Sequence, residues 1–106
     1  MISAKFRLEN GKYTAFAVSG HAMFAGYGQD IICASVSSAL QLTVNGITEI
    51  LKVSANVIVD ENEISLALPQ GCNDTAVNAL MCSFCLQVQL LEETYPKNIK
   101  MIISEV

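Results

Sequence analysis

The opening residues impose the strongest constraint on the fold. Ile2, Ala4, Phe6 and Leu8 alternate with Ser3, Lys5, Arg7 and Glu9, the period of a strand with one buried face. Asn10-Gly11 follows, the pair suited to a two-residue type I′ turn because both central positions need positive φ. A second strand is expected from about Lys12 to Val18. A hairpin with an apolar face is marginal alone in water, so the remaining chain must supply more strands and a cover. With 106 residues there is room for one domain, residues 1–106, that buries roughly 65% of the surface its unfolded chain exposes.

The cover is legible further along. A loop over residues 19–29 holds Gly20, Gly26 and Gly28, and Asp30 is placed to cap a long helix. In that helix Ile32, Val36, Ala39, Leu40, Ile47, Ile50 and Leu51 recur at three- and four-residue spacing, an apolar stripe. Val57 and Val59 suggest a third strand, residues 60–63 a polar turn, and Ile64, Leu66 and Leu68 a fourth strand. Pro69, Gly71 and Asn73 break the chain before a second helix from near Asp74, with Val77, Leu80, Met81, Phe84, Val88 and Leu91 as its stripe. Pro96 closes that helix, and Ile99, Met101 and Ile103 form a last strand. The order β-β-α-β-β-α-β predicts an α+β two-layer sandwich, about five mixed or antiparallel strands under two helices.

Both helical stretches lack charge, over residues 31–48 and 75–91. Eighteen uncharged residues approach the length of a membrane span. Ser35, Ser37, Ser38, Gln41, Thr43, Asn45 and Thr48 interrupt the first, and Asn78, Gln87 and Gln89 the second. Lipid would have to desolvate those groups, so both read as core helices of a soluble protein with no membrane partner. Lys5, Arg7 and Glu9 inside the first strand are not the start of a signal peptide. At 52% hydrophobic and 15% charged residues, the chain is not of a disordered class. Its net charge of −4 argues against direct nucleic-acid binding, which needs cations to neutralise phosphates.

Four cysteines, Cys33, Cys72, Cys82 and Cys85, read as reduced thiols of a cytoplasmic protein. Cys82 and Cys85 form a CxxC in mid-helix without a second ligand pair, a weak zinc or redox pattern, and no cofactor or metal is expected. Gly26-Tyr27-Gly28 lacks the rest of a phosphate-loop fingerprint. His21 is the single histidine and precedes Cys33 by twelve residues. Cys33 falls in the first turn of the long helix, where unsatisfied amides stabilise a thiolate. A histidine from the preceding loop can take the thiol proton and return it to a leaving amine. Those amides can also hold an oxyanion. Asp30, Cys33 and Ser37 stand at i, i+3 and i+7, so they share a face. Asp30 can orient His21 or cap the helix, and Ser37 can bond into the site or pack. Cys33 is expected beside the apolar stripe and partly exposed.

Ser19-Gly20-His21-Ala22, then Gly28-Gln29-Asp30-Ile31-Ile32-Cys33-Ala34, then Val36-Ser37 resemble the signature of the ribosomal-processing cysteine proteases known as Prp. Length, element order, and Glu92, Glu93 and Tyr95 near the close of the second helix extend the likeness over essentially the whole chain. The resemblance implies a cytoplasmic endopeptidase that removes the N-terminal extension of the twenty-seventh large-subunit ribosomal protein. It implies Cys33 as nucleophile and His21 as general base, with Gly20, Asp30 and Ser37 at supporting or substrate-binding positions. It also implies a homodimer, to which the apolar composition of so short a chain adds physical support. A non-enzymatic, ribosome-associated scaffold is the alternative, its acidic surface complementing a basic ribosomal protein.

Overall fold

The computed structural model describes residues 1–20 and 31–106. Strands β1 (Ile2–Glu9) and β2 (Lys12–Ser19) form the expected antiparallel hairpin. Asn10 and Gly11 sit at φ 51° and 77°, both in the region a type I′ turn requires. The ladder slips between Arg7 and Leu8, so that Arg7 faces Ala15 while Leu8 faces Tyr13. That one extra residue, Thr14, reverses the side-chain parity of the start of β2. Tyr13 therefore joins the apolar face and meets Phe6 edge-on, with ring centroids 5.9 Å apart. The displaced Thr14 hydroxyl donates to Glu9 Oε2 at 2.8 Å.

Helix α1 (Ile31–Asn45) runs into a π-helical turn (Gly46–Ile50), then come β3 (Asn56–Val59), β4 (Glu63–Ala67), helix α2 (Thr75–Thr94) and β5 (Ile99–Glu105). Among the described residues the sheet order is β3-β4-β2-β1-β5. All neighbours are antiparallel except β1 and β5, which are parallel. This is the α+β, two-helix, mixed-sheet architecture the periodicities predict. Its core joins Ala4, Phe6, Phe16, Val18 and Leu66 of the sheet to Val36, Leu40 and Ile47 of the α1 arm and Val77, Met81, Phe84 and Val88 of α2. Phe84 anchors the layers, with ring centroids 5.6 Å from Phe6 and 4.9 Å from Phe16. Each such ring contributes roughly 1.5–3 kcal/mol by leaving water.

The Asp74 carboxylate starts α2, accepting from the Ala76 and Val77 amides at 2.8 and 3.2 Å, as an N-cap should. At its other end Glu92 accepts the Met101 N–H at 2.7 Å, tying the helix to edge strand β5.

The α1 arm departs from expectation at its end. Ile50, assigned to the apolar stripe, is 77% exposed. The wider i→i+5 turn rotates the chain less per residue than an α-helix, which carries Ile50 off the core face. Gly46 opens that turn where a Cβ would lie 3.0 Å from Leu80 Cδ1, so glycine permits the close approach of α2. The run Ile31–Ile50 has a mean hydropathy of 1.4 and is long and apolar enough to cross a membrane. In this fold it buries Cys33, Val36, Leu40, Thr43 and Ile47.

Candidate functional site

Of the five residues singled out for the site, Gly20, Cys33 and Ser37 are described; His21, Asp30 and the glycines at 26 and 28 lie outside the described residues. Cys33 is the third residue of α1, within the first turn. The first four amides of a helix have no intrahelical acceptor, and the dipole adds positive potential there. The described part of α1 thus begins two residues before Cys33, in keeping with the expected position near a helix start. Ser37 follows one turn later on the same face and is half-buried.

The exposure expected of Cys33 is not found. The residue is 4% exposed and belongs to the core cluster with Val36 and Leu40. The reason is helical phase: Cys33, Val36 and Leu40 stand at i, i+3 and i+7, so the thiol lies within the apolar stripe rather than beside it. A peptide carbonyl can reach this sulfur only when the sulfur is uncovered.

The solvent side of α1 is different. A groove of about 700 Å³ runs between α1 and α2, floored by small side chains such as Ala34, Ser35, Ser38 and Ser83, with Ile31 and Leu42 on its rim. Ile31, Ser35, Ser38 and Leu42 face away from Cys33 at 100° per residue, so the groove and the thiol occupy opposite sides of one helix. Sequence reasoning did not find this groove; the spacing of small residues on α1 was its only signal.

Gly20 follows the last residue of β2. It is buried, its φ is +146°, and its N–H donates to the Asn62 carbonyl at 3.3 Å. The β3–β4 turn therefore abuts the chain where it leaves the sheet toward His21.

The CxxC pair separates by exposure. Cys82 is exposed, while Cys85 is 4% exposed and lies beside the Tyr13 hydroxyl. Burial pushes the Cys85 thiol up, and the Tyr13 hydroxyl offsets part of that rise. In return the contact with Cys85 raises Tyr13 to about 12. Cys85 is accordingly a protonated thiol near neutral pH. No group of three or more His, Cys, Asp or Glu side chains placed to hold a metal occurs among the described residues.

Comparison with known proteins identifies the chemistry. The model of the cysteine protease Prp family matches residues 1–100. The ribosomal processing cysteine protease Prp of Staphylococcus aureus is 28% identical over 94 residues, 88% of this chain and 89% of that relative. The crystal structure of SMU.848 from Streptococcus mutans superposes with a TM-score of 0.88 at 28% identity, covering 100% of this chain and 96% of that one. That of the S. aureus protease with a covalently linked product peptide gives 0.87 at 25% identity, covering 98% and 100%. A match over nearly the whole length, a shared architecture and a cysteine at a helix start lead to one conclusion: this chain belongs to the Prp family of cysteine proteases.

Proposed function

We propose that the protein is the endopeptidase that removes the N-terminal extension from a large-subunit ribosomal protein precursor, with Cys33 as nucleophile and His21 as general base. The observation that carries the assignment is the place of Cys33 in the first turn of α1, where amides and dipole favour a thiolate. His21 takes the thiol proton, and the sulfur attacks the scissile carbonyl carbon to form a C–S bond. The resulting oxyanion is stabilised by donors at the helix start. Collapse breaks the C–N bond as the imidazolium passes its proton to the leaving amine. Water, deprotonated by His21, then hydrolyses the thioester and restores the thiol. Gly20, Asp30 and Ser37 support this pair; Ser37 shares the Cys33 face of α1, and Asp30 precedes the helix in chain order.

The setting follows the same reading: a cytoplasmic protein whose net charge of −4 suits a basic ribosomal substrate and disfavours nucleic acid, acting as a homodimer without membrane attachment or cofactor. Support for the dimer comes from Ile31, Leu42, Leu86 and Leu90, all large, apolar and exposed on α1 and α2. The stretches around them, residues 31–48 and 75–91, are uncharged, so like charges do not oppose a second copy there. Sedimentation at micromolar concentration is expected to show a dimer; a monomer alone removes this part.

Incubation of the precursor with the protein, followed by product masses, tests the central assignment. The unsubstituted protein is expected to release the extension, whereas Cys33→Ala binds the precursor and leaves it intact. Normal cleavage by Cys33→Ala overturns the nucleophile.

A further inference from the structure

The two edges of the sheet are protected differently. At one edge β3 is only four residues long, and shortness alone limits what can pair with it. At the other, β5 runs for seven residues, with Ile102 and Ile103 36% and 47% exposed. An edge of that length and apolarity is a template for another strand.

Two bonds fix the direction of its main-chain groups. Ile2 N–H donates to the Asn98 carbonyl at 2.8 Å, and Val106 N–H to the Leu8 carbonyl at 2.9 Å. The even-numbered residues of β5 therefore turn their main chain toward β1. In a parallel ladder the alternate residues point the other way, here Ile99, Met101, Ile103 and Glu105. The outward N–H of Ile99 donates to the Tyr95 carbonyl at 3.2 Å. That of Met101 donates to Glu92 Oε2 at 2.7 Å, from a half-buried side chain on α2.

A second copy that pairs antiparallel with this edge must set outward residues against outward residues. Centring on Ile103 places it against Ile103 of the second copy. Met101 of each copy then faces Glu105 of the other. This register leaves the Ile99–Tyr95 bond intact and sets an exposed isoleucine against its own kind. Glu92 obstructs it twice. It occupies the Met101 N–H in both flanking pairs, so only the central pair can form. Its carboxylate also meets that of the incoming Glu105, and like charges placed across strands oppose pairing.

We propose that the β5 edge is a latent docking strand for a second copy of this chain, and that Glu92 holds it closed by occupying the Met101 amide and repelling the incoming Glu105. The surface is separate from the α1–α2 face described above, and none of the residues assigned to the proteolytic site takes part.

Sedimentation velocity over rising protein concentration, with amide exchange at Met101 followed by NMR, tests this. Glu92→Ala is expected to form reversible assemblies about twice the mass of those the unsubstituted protein forms at the same concentration. Its Met101 N–H should exchange at least about tenfold faster when dilute and slow again as assembly proceeds. Adding Ile103→Lys sets two lysines against each other at the centre of the pairing, and should abolish the larger assemblies. Asp74→Ala weakens the fold at the far end of α2 without touching the edge, and should not assemble. Unchanged mass of Glu92→Ala at every concentration overturns the proposal. Larger assemblies that survive Ile103→Lys, or that Asp74→Ala shares, come from general destabilisation and also overturn it. Should Glu92→Ala not fold, Glu92→Met keeps the length of the side chain without an acceptor oxygen and carries the same expectations.

Discussion

Two cysteines in this molecule are equally buried and differently placed along their helices. Cys33 and Cys85 are each 4% exposed, each on a helix, each in the apolar core. Cys33 is the third described residue of α1, and a helix start offers amides that favour a thiolate. Cys85 lies in the middle of α2, where every nearby amide is spent on the helix, and burial holds its thiol protonated. Burial therefore does not separate the two; in the proposed mechanism, position along the helix does. The electrostatic benefit of a helix start falls off within a turn, so a thiol in mid-helix receives only the desolvation penalty.

The comparison is broken most directly by exchanging which cysteine is removed. Cys33→Ala is expected to lower precursor cleavage by about a thousandfold or more, the scale on which loss of a nucleophile acts. Cys85→Ala should leave turnover per folded molecule within about twofold, because its sulfur touches Tyr13 and core rather than substrate. Product mass against time measures both. Equal losses would mean that helix position is not what separates the two thiols.

The second prediction sharpens the structural half. If α2 serves chiefly to close the core, its main anchor should affect stability and spare chemistry. Phe84→Ala removes the ring that meets Phe6 and Phe16 and should destabilise the fold by about 3–5 kcal/mol. Urea denaturation gives the loss. At temperatures where the variant remains folded, cleavage per folded molecule should stay close to that of the unsubstituted protein.

The third concerns the surroundings of Cys85. Tyr13 ionises at about 12 in the fold against 10.0 when free, so the folded state holds its phenolic proton more tightly than the unfolded state. The associated stability is fully present below pH 10 and is lost as pH rises toward 12. Tyr13→Phe should therefore flatten the alkaline decline of the urea midpoint above pH 10. The Cys85 thiol, also raised, still contributes a decline of its own from about pH 9. An unchanged alkaline profile in Tyr13→Phe would place the phenol away from Cys85.

Local rules account for what was legible in the sequence, and tertiary contacts for what was not. Asn10-Gly11 specified its own turn through torsions that few residue pairs tolerate, and Asp74 marked the start of α2 through one carboxylate. The parallel pairing of β5 with β1 joins Ile2 to Ile99 across the length of the chain, and no local period encodes that. The π-turn depends on Gly46 meeting Leu80, a contact between helices, so the α-helical phase carried Ile50 to the wrong face. Motif spacing placed Cys33 correctly at a helix start. Its burial was decided by the same phase that places Val36 and Leu40 inside, and a seven-residue count from Cys33 to Leu40 would have shown it.

The smallest expected effect concerns the two helix starts. The first turn of α2 is satisfied by its own side chain, since Asp74 accepts from the Ala76 and Val77 amides at 2.8 and 3.2 Å. At α1, the proposed chemistry draws on first-turn amides for the thiolate and the oxyanion. Removing the α2 cap should thus behave as a purely structural change. Asp74→Ala is expected to destabilise the protein by about 1 kcal/mol, read as a lower urea midpoint at unchanged m. Cleavage by the folded fraction should be unaffected. Asp74→Asn, which keeps an acceptor oxygen but not the charge, should recover most of the loss, because Asn ranks with Asp as an N-cap. If Asp74→Ala instead slows turnover by the folded fraction, the start of α2 is coupled to the site, and the division between a chemical helix and a structural one does not hold.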